Sequence, residues 1–141
     1  MTEVTRTTPV PARTIMGGLA AVYAVLFFAG AVLHLGVAIP LGPVVLTEPV
    51  ILPATVVEGL CGIGLAIAAY AIFTRKPWAW TAAVAGHAVA LGGVLLGVTA
   101  IALTSGSSTP LNDTFHRLMI VLLAAGLLWL RTHAARTALG R

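Results

Sequence analysis

Apolar and polar positions alternate in long blocks along this chain, and four of the blocks are apolar: Ile15–Leu35, Val56–Phe73, Trp78–Leu103 and Leu118–Leu130. About 18 or more apolar residues with few charges suffice for a helix that crosses a bilayer. The first three runs meet that length. The fourth meets it only if its helix starts at Asp113, which draws His116 and Arg117 to membrane depth. The pattern predicts an all-α, up-down bundle of four membrane helices over about 14–35, 55–73, 77–103 and 113–135. They form one transmembrane domain over 14–139, preceded by a disordered cytoplasmic tail over 1–13. Asn112 or Asp113 is the expected N-cap of the fourth helix, which is expected to run past Trp129 into its basic end.

The connection over 36–54 breaks the pattern. It holds Pro40, Pro43, Pro49 and Pro53, too many for a regular helix, yet it stays apolar. Two similar pieces, PVVL at 43–46 and PVIL at 49–52, read as extended segments joined at Thr47-Glu48. Backbone of this kind cannot lie in lipid with unpaired amides. The loop is therefore expected to be ordered and to fold over the outer mouth of the bundle as a lid, with a plain interfacial linker as the alternative.

Composition strengthens the membrane reading. The chain is 59% hydrophobic and 9% charged, where soluble domains carry about 25% charged residues. Its formal charge of +4 follows topology, so no nucleic-acid partner is expected. Placing the N-terminal tail, the turn at 73–78 and the C-terminus on one side gathers seven of the eight basic residues there: Arg6, Arg13, Arg75, Lys76, Arg131, Arg136 and Arg141. Glu48, Glu58 and Asp113 fall on the other side, and Trp78, Trp80 and Trp129 lie near the basic one. Basic loops stay cytoplasmic and aromatic residues gather at interfaces, so both termini are expected inside a multi-pass protein of the inner or plasma membrane. Ala29-Gly30-Ala31 resembles a cleavage site, but the run before it is too long for a signal peptide, and the first helix is expected to be retained. A single cysteine, Cys61, excludes an internal disulfide and a Cys-x-x-Cys motif, and reads as a small packing residue. Gly62 with Ala66, and Gly93 with Gly97, have the spacing that lets helices approach closely.

Orientation brings the ionisable residues into register. His34 ends the first helix, Glu58 begins the second, and His116 and Arg117 begin the fourth, all at the outer level. His87 lies near the middle of the third helix. Tyr23, Phe27, Gly30 and His34 share one face of the first, and Asp113 and Arg117 are spaced to pair within the fourth. Ionisable groups inside membranes are costly and mark functional sites by default. Glu58, His116 and His34 are the candidate catalytic residues, with His87, Arg117, Asp113 and Tyr23 as candidate ligand-binding residues. The structural alternatives are a Glu58–Arg117 ion pair, a neutral His87 in the core donating to a backbone carbonyl, and His34 and His116 that simply snorkel to the interface.

Three functions fit these residue types. A His/Glu pocket in an apolar bundle can hold a quinone or another lipid-soluble molecule and pass a proton to the periplasmic side, histidine being the side chain that titrates near neutrality. His34, Glu58 and His116 can instead ligate a transition metal in a membrane enzyme. A buried carboxylate can also couple proton movement to transport, for which so small a chain would act as a homo-oligomeric carrier.

FFAGAVLHLG at Phe27–Gly36, VEGLCGIGL at Val57–Leu65 and the basic turn TRKPWAW at Thr74–Trp80 together resemble the DoxX-like family of small four-helix membrane proteins. The resemblance covers about two thirds of the chain. It implies that Glu58 is the family's helix-2 carboxylate. It also implies a role as a component of a membrane redox or quinone-linked complex with a redox partner protein, some members being subunits of thiosulfate:quinone oxidoreductases.

Overall fold

The computed structural model describes residues 12–104 and 108–140. Within them the chain is mostly helical. Four long helices, α1 (Ala12–Leu33), α2 (Leu52–Phe73), α3 (Ala79–Thr104) and α4 (Pro110–Leu130), are joined to a short hairpin, β1 (Ile39–Leu41) and β2 (Val44–Leu46), and to a short α5 (His133–Leu139). All four long helices are long and apolar enough to cross a membrane. The chain zigzags through the bundle, so α2 packs on α1 and α3, and α4 packs on α3. One end carries the hairpin; the other carries both ends of the described chain.

Small residues set the helix spacing. A β-carbon on Gly86 of α3 would lie 2.7 Å from the Gly64 carbonyl oxygen of α2, so backbone meets backbone there. Gly93 accommodates the Cys61 thiol and Val57 from α2, while Gly97 faces His116 on α4. The Gly93–Gly97 spacing thus packs two different helices within the bundle. Cys61 is a buried packing residue whose thiol points at the Val89 and Ala90 carbonyls. The main core joins Tyr23 and Phe27, Cys61 and Leu65, Ala90 and Val94, and Met119 and Leu123. Large apolar side chains such as Val25, Ile67, Leu96 and Val121 cover the outside, while His34, Glu58, His87, Asn112 and His116 are inside.

Several boundaries differ from the sequence expectation, each for a local reason. Residues 12 and 13, assigned to a tail, are helical, and 1–11 lie outside the described residues. Arg13 stays in the helix because its guanidinium donates to the Ile72 carbonyl at the end of α2 and to the Ala138 carbonyl of α5. At such ends carbonyls lack intrahelical donors. The N-cap of α4 is Thr109, not Asn112 or Asp113: its hydroxyl accepts from the Asn112 amide and Pro110 takes the first helical turn. α4 stops at Leu130 and does not continue to 135. The Thr132 hydroxyl donates to the Trp129 carbonyl and accepts from the Ala135 amide, so one side chain closes α4 and opens α5.

The Pro-rich connection is ordered, but its strands pair differently from the expectation. Ile39–Leu41 pairs with Val44–Leu46 around a two-residue Gly42-Pro43 turn, with Gly42 at φ +62°. A glycine at the first turn position suits a tight hairpin. The PVIL piece does not add a strand, because Leu52 already begins α2 with Pro53 in its first turn. Leu41, Val44 and Val45 remain exposed, so the hairpin is anchored at its base and does not pack flat on the bundle. Three contacts hold that base: the Ile51 amide donates to the His34 carbonyl, the His34 ring meets the Pro49 carbonyl, and Thr109 donates to Glu48.

Candidate functional site

At the hairpin end, α1 delivers His34, α2 delivers Glu58, the segment after β2 delivers Glu48, and α4 delivers Asn112. Together with Leu26, Leu33, Leu46 and Phe115 they line a cavity of about 130 Å3. Each backbone position has a simple origin. His34 directly follows the last residue of α1. Glu58 lies two turns into α2, on the face that meets α1. Its carboxylate rests where α1 has no side chain, since a β-carbon on Gly30 would sit 2.7 Å from Glu58 Oε2.

His34 Nδ1 lies 3.0 Å from the Pro49 carbonyl oxygen. A carbonyl can only accept, so Nδ1 carries the proton and donates it. Nε2 then faces Glu58 Oε1 at 3.8 Å. Two lone pairs facing each other repel, so attraction across this gap requires one proton, on either the imidazole or the carboxyl. Both side chains are buried, and Glu58 Oε2 has no hydrogen-bond partner. Buried polar atoms are normally satisfied. The orphaned oxygen is therefore the most conspicuous polar feature of the cavity.

The other residues singled out by the sequence do not all arrive here. His116 is buried, but its Nδ1 bonds its own helix at the Asn112 carbonyl, 2.9 Å away, and its Nε2 edge faces Gly97 of α3. His34, Glu58 and His116 therefore do not converge as a donor set, and no group of three His, Cys, Asp or Glu side chains among the described residues could hold a metal ion. Arg117 does not pair with Glu58. The buried face of α4 runs through Asn112, His116, Met119 and Leu123, which turns Arg117 to the exposed face with Asp113. These two exposed side chains form no ion pair with each other. α4 packs on α3 and α2 packs on α1 and α3, so the start of α4 does not bring Arg117 to Glu58.

Tyr23 and His87 sit together elsewhere, ring centroids 6.1 Å apart and edge to face, toward the end that carries the termini. His87 Nδ1 donates to the Ala83 carbonyl at 2.8 Å. The core-histidine alternative describes that half of the ring; Nε2 is buried without a partner.

Sequence reasoning missed two lining residues. In the sequence Glu48 reads as a loop joint and an outer-side charge, and Asn112 as a helix cap. The connecting signal was Thr109-Pro110, whose N-cap hydroxyl also reaches Glu48 and so draws the loop over the cavity. Comparison of the chain with family models, with curated proteins and with solved structures finds no significant match, so these residues are read on their own geometry.

Proposed function

We propose that this chain is a multi-pass protein of the plasma membrane with both termini cytoplasmic and the hairpin end at the outer leaflet. Its His34–Glu58 pocket exchanges a proton with a lipid-soluble molecule, as a component of a membrane redox or quinone-linked complex. Four long apolar helices, large apolar side chains over much of the outer surface, and His34, Glu58, His87 and His116 turned inside support the membrane placement. The basic residues on the turn and terminal side support the orientation.

The single observation that carries the chemistry is the His34–Glu58 pair. The Pro49 carbonyl accepts from His34 Nδ1 and so leaves Nε2 toward Glu58 Oε1 at 3.8 Å, where a proton held on either group makes the contact attractive. Such a pair can accept a proton from the hydroxyl of a quinol, with Glu58 Oε2 as the acceptor, and return it to a quinone oxygen in the reverse direction. A quinol that is oxidised loses two electrons and two protons. The two electrons pass to a redox partner protein; the His34–Glu58 pair takes one of the two protons, and the other leaves to water at the outer surface. Thr109 and Glu48 hold the loop over the cavity and keep the ligand end away from bulk water.

The test is binding of a short-tailed benzoquinol to the protein in lipid nanodiscs. Saturable binding is expected, weakened roughly tenfold by Glu58→Gln and by His34→Gln, the scale of one charge-assisted hydrogen bond. Arg117→Gln, on the exposed face, is expected to leave it unchanged. Equal binding by all four proteins would overturn the reading.

A further inference from the structure

α1 and α4 touch near the hairpin end, where Phe27 and Phe115 pack edge to face at 5.4 Å. Toward the opposite end the two helices part. The gap is a second cavity of about 380 Å3, lined by Ile15, Leu19 and Tyr23 of α1, by Leu122, Gly126 and Trp129 of α4, and by His87 of α3 at its floor. Ile15, Leu19 and Ala125 on its rim are exposed, so it opens through the side of the bundle. A volume of this size lies in the range of small-molecule sites, which are mostly apolar with a few placed polar groups.

The polar group here is His87 Nε2, on a fully buried side chain and without a partner. Because Nδ1 donates to the Ala83 carbonyl, the neutral ring presents Nε2 as an acceptor. The Nε2–Cδ2 edge faces Gly126: a β-carbon there would lie 2.9 Å from Cδ2 and 3.1 Å from Nε2. A glycine at this point of α4 leaves no side chain between the ring edge and the cavity wall. We infer that the α1–α4 cavity is a lateral binding site for an apolar, membrane-soluble molecule bearing a hydroxyl group, which donates to His87 Nε2. An acceptor calls for a donor, which a plain acyl chain does not have. The site is separate from the His34–Glu58 pocket, while its ligand's route of entry rests on the bilayer placement proposed above.

Trp129 on the cavity wall supplies the readout. The protein in nanodiscs is titrated with a terminally brominated long-chain alcohol, and separately with the matching bromoalkane, at equal mole fractions in the bilayer. Quenching that disappears in Trp129→Phe is the signal. The alcohol is expected to half-saturate at about a fivefold lower mole fraction than the alkane, the worth of one ordinary hydrogen bond. That preference is expected to vanish in His87→Phe and in Gly126→Ala, which keeps the ring but covers its edge, and to persist in Glu58→Gln. Equal half-saturation by the two probes in the unaltered protein would mean that acyl chains merely fill the gap, and would overturn the inference. So would a preference that survives His87→Phe, or one that is lost in Glu58→Gln. Loss of membrane association by the unaltered protein on alkaline extraction would instead count against the bilayer placement alone.

Discussion

Glu58 is held by what α1 lacks as much as by what it offers. Its carboxyl lies against the bare backbone of Gly30, with His34 just past the end of α1. A methyl group at Gly30 would come within 2.7 Å of Oε2. Gly30→Ala is therefore expected to lower thermal stability by about 1–3 kcal/mol, the usual range for overpacking. Gly18 makes the control, since nothing lies within 4 Å of the β-carbon it would gain; Gly18→Ala should be neutral or stabilise by up to about 1 kcal/mol through helix propensity. Equal melting shifts for the two variants would refute the seating of Glu58. A double-mutant cycle tests the pairing itself. Glu58→Gln and His34→Gln are expected to couple by about 0.5–3 kcal/mol, as contacting residues do, whereas Glu58→Gln and Arg117→Gln should be additive. Additivity in the His34 cycle would dissolve the pair. Sequence alone made Glu58 stand out, because a lone carboxylate in an apolar run needs a partner or a proton. Choosing that partner among His34, His116 and Arg117 needed the rotation of each helix about its axis, which chain spacing fixes only to within a face.

At the scale of elements, apolar run length located all four long helices, but their ends were decided by single polar side chains that a hydropathy pattern does not weigh. Thr109 shows how. Its hydroxyl caps α4 through the Asn112 amide and also donates to Glu48, binding the Pro-rich connection to the bundle. The Thr-Pro order is a legible start signal, yet Asn112 and Asp113 next to it are equally good cap types, and the sequence could not choose between them. Thr109→Ala is expected to cost about 1–2 kcal/mol and to raise amide exchange along Leu46–Ile51, whereas Asp113→Ala, on the exposed face, should do neither. Unchanged exchange in Thr109→Ala would show that the hairpin base is held by the His34 contacts alone. The strand pairing was equally hidden. Both PVVL and PVIL have strand composition, and only the glycine of Gly42-Pro43, at φ +62°, selects the first as half of a hairpin with Ile39–Leu41.

For the whole molecule, fold class was legible because it follows from a sum over many residues, where one misread helix cap changes little. The second cavity was not legible, because it arises where α1 and α4 fail to meet, and no pattern within one helix records a gap between two. Orientation is again a sum. The turn at Thr74–Pro77 and the α5 end carry basic residues, with Arg13 tying α1 to α2 and α5 at that same end. The opposite end carries Glu48, Glu58 and Asp113, with Arg117 as the one basic residue there among those described. Positive charge in short loops resists translocation, while acidic residues contribute little, so Arg117 alone is not expected to reverse the arrangement. In a Cys61→Ala background, which removes the buried native thiol, Ser108→Cys is expected to react with an impermeant thiol reagent in intact cells. Lys76→Cys is expected to react only after the membrane is permeabilised. The reverse pattern would move the His34–Glu58 pocket to the cytoplasmic leaflet and deliver its proton to the opposite side of the membrane. Labelling of both positions in intact cells would mean that the four helices do not divide the chain between two compartments at all.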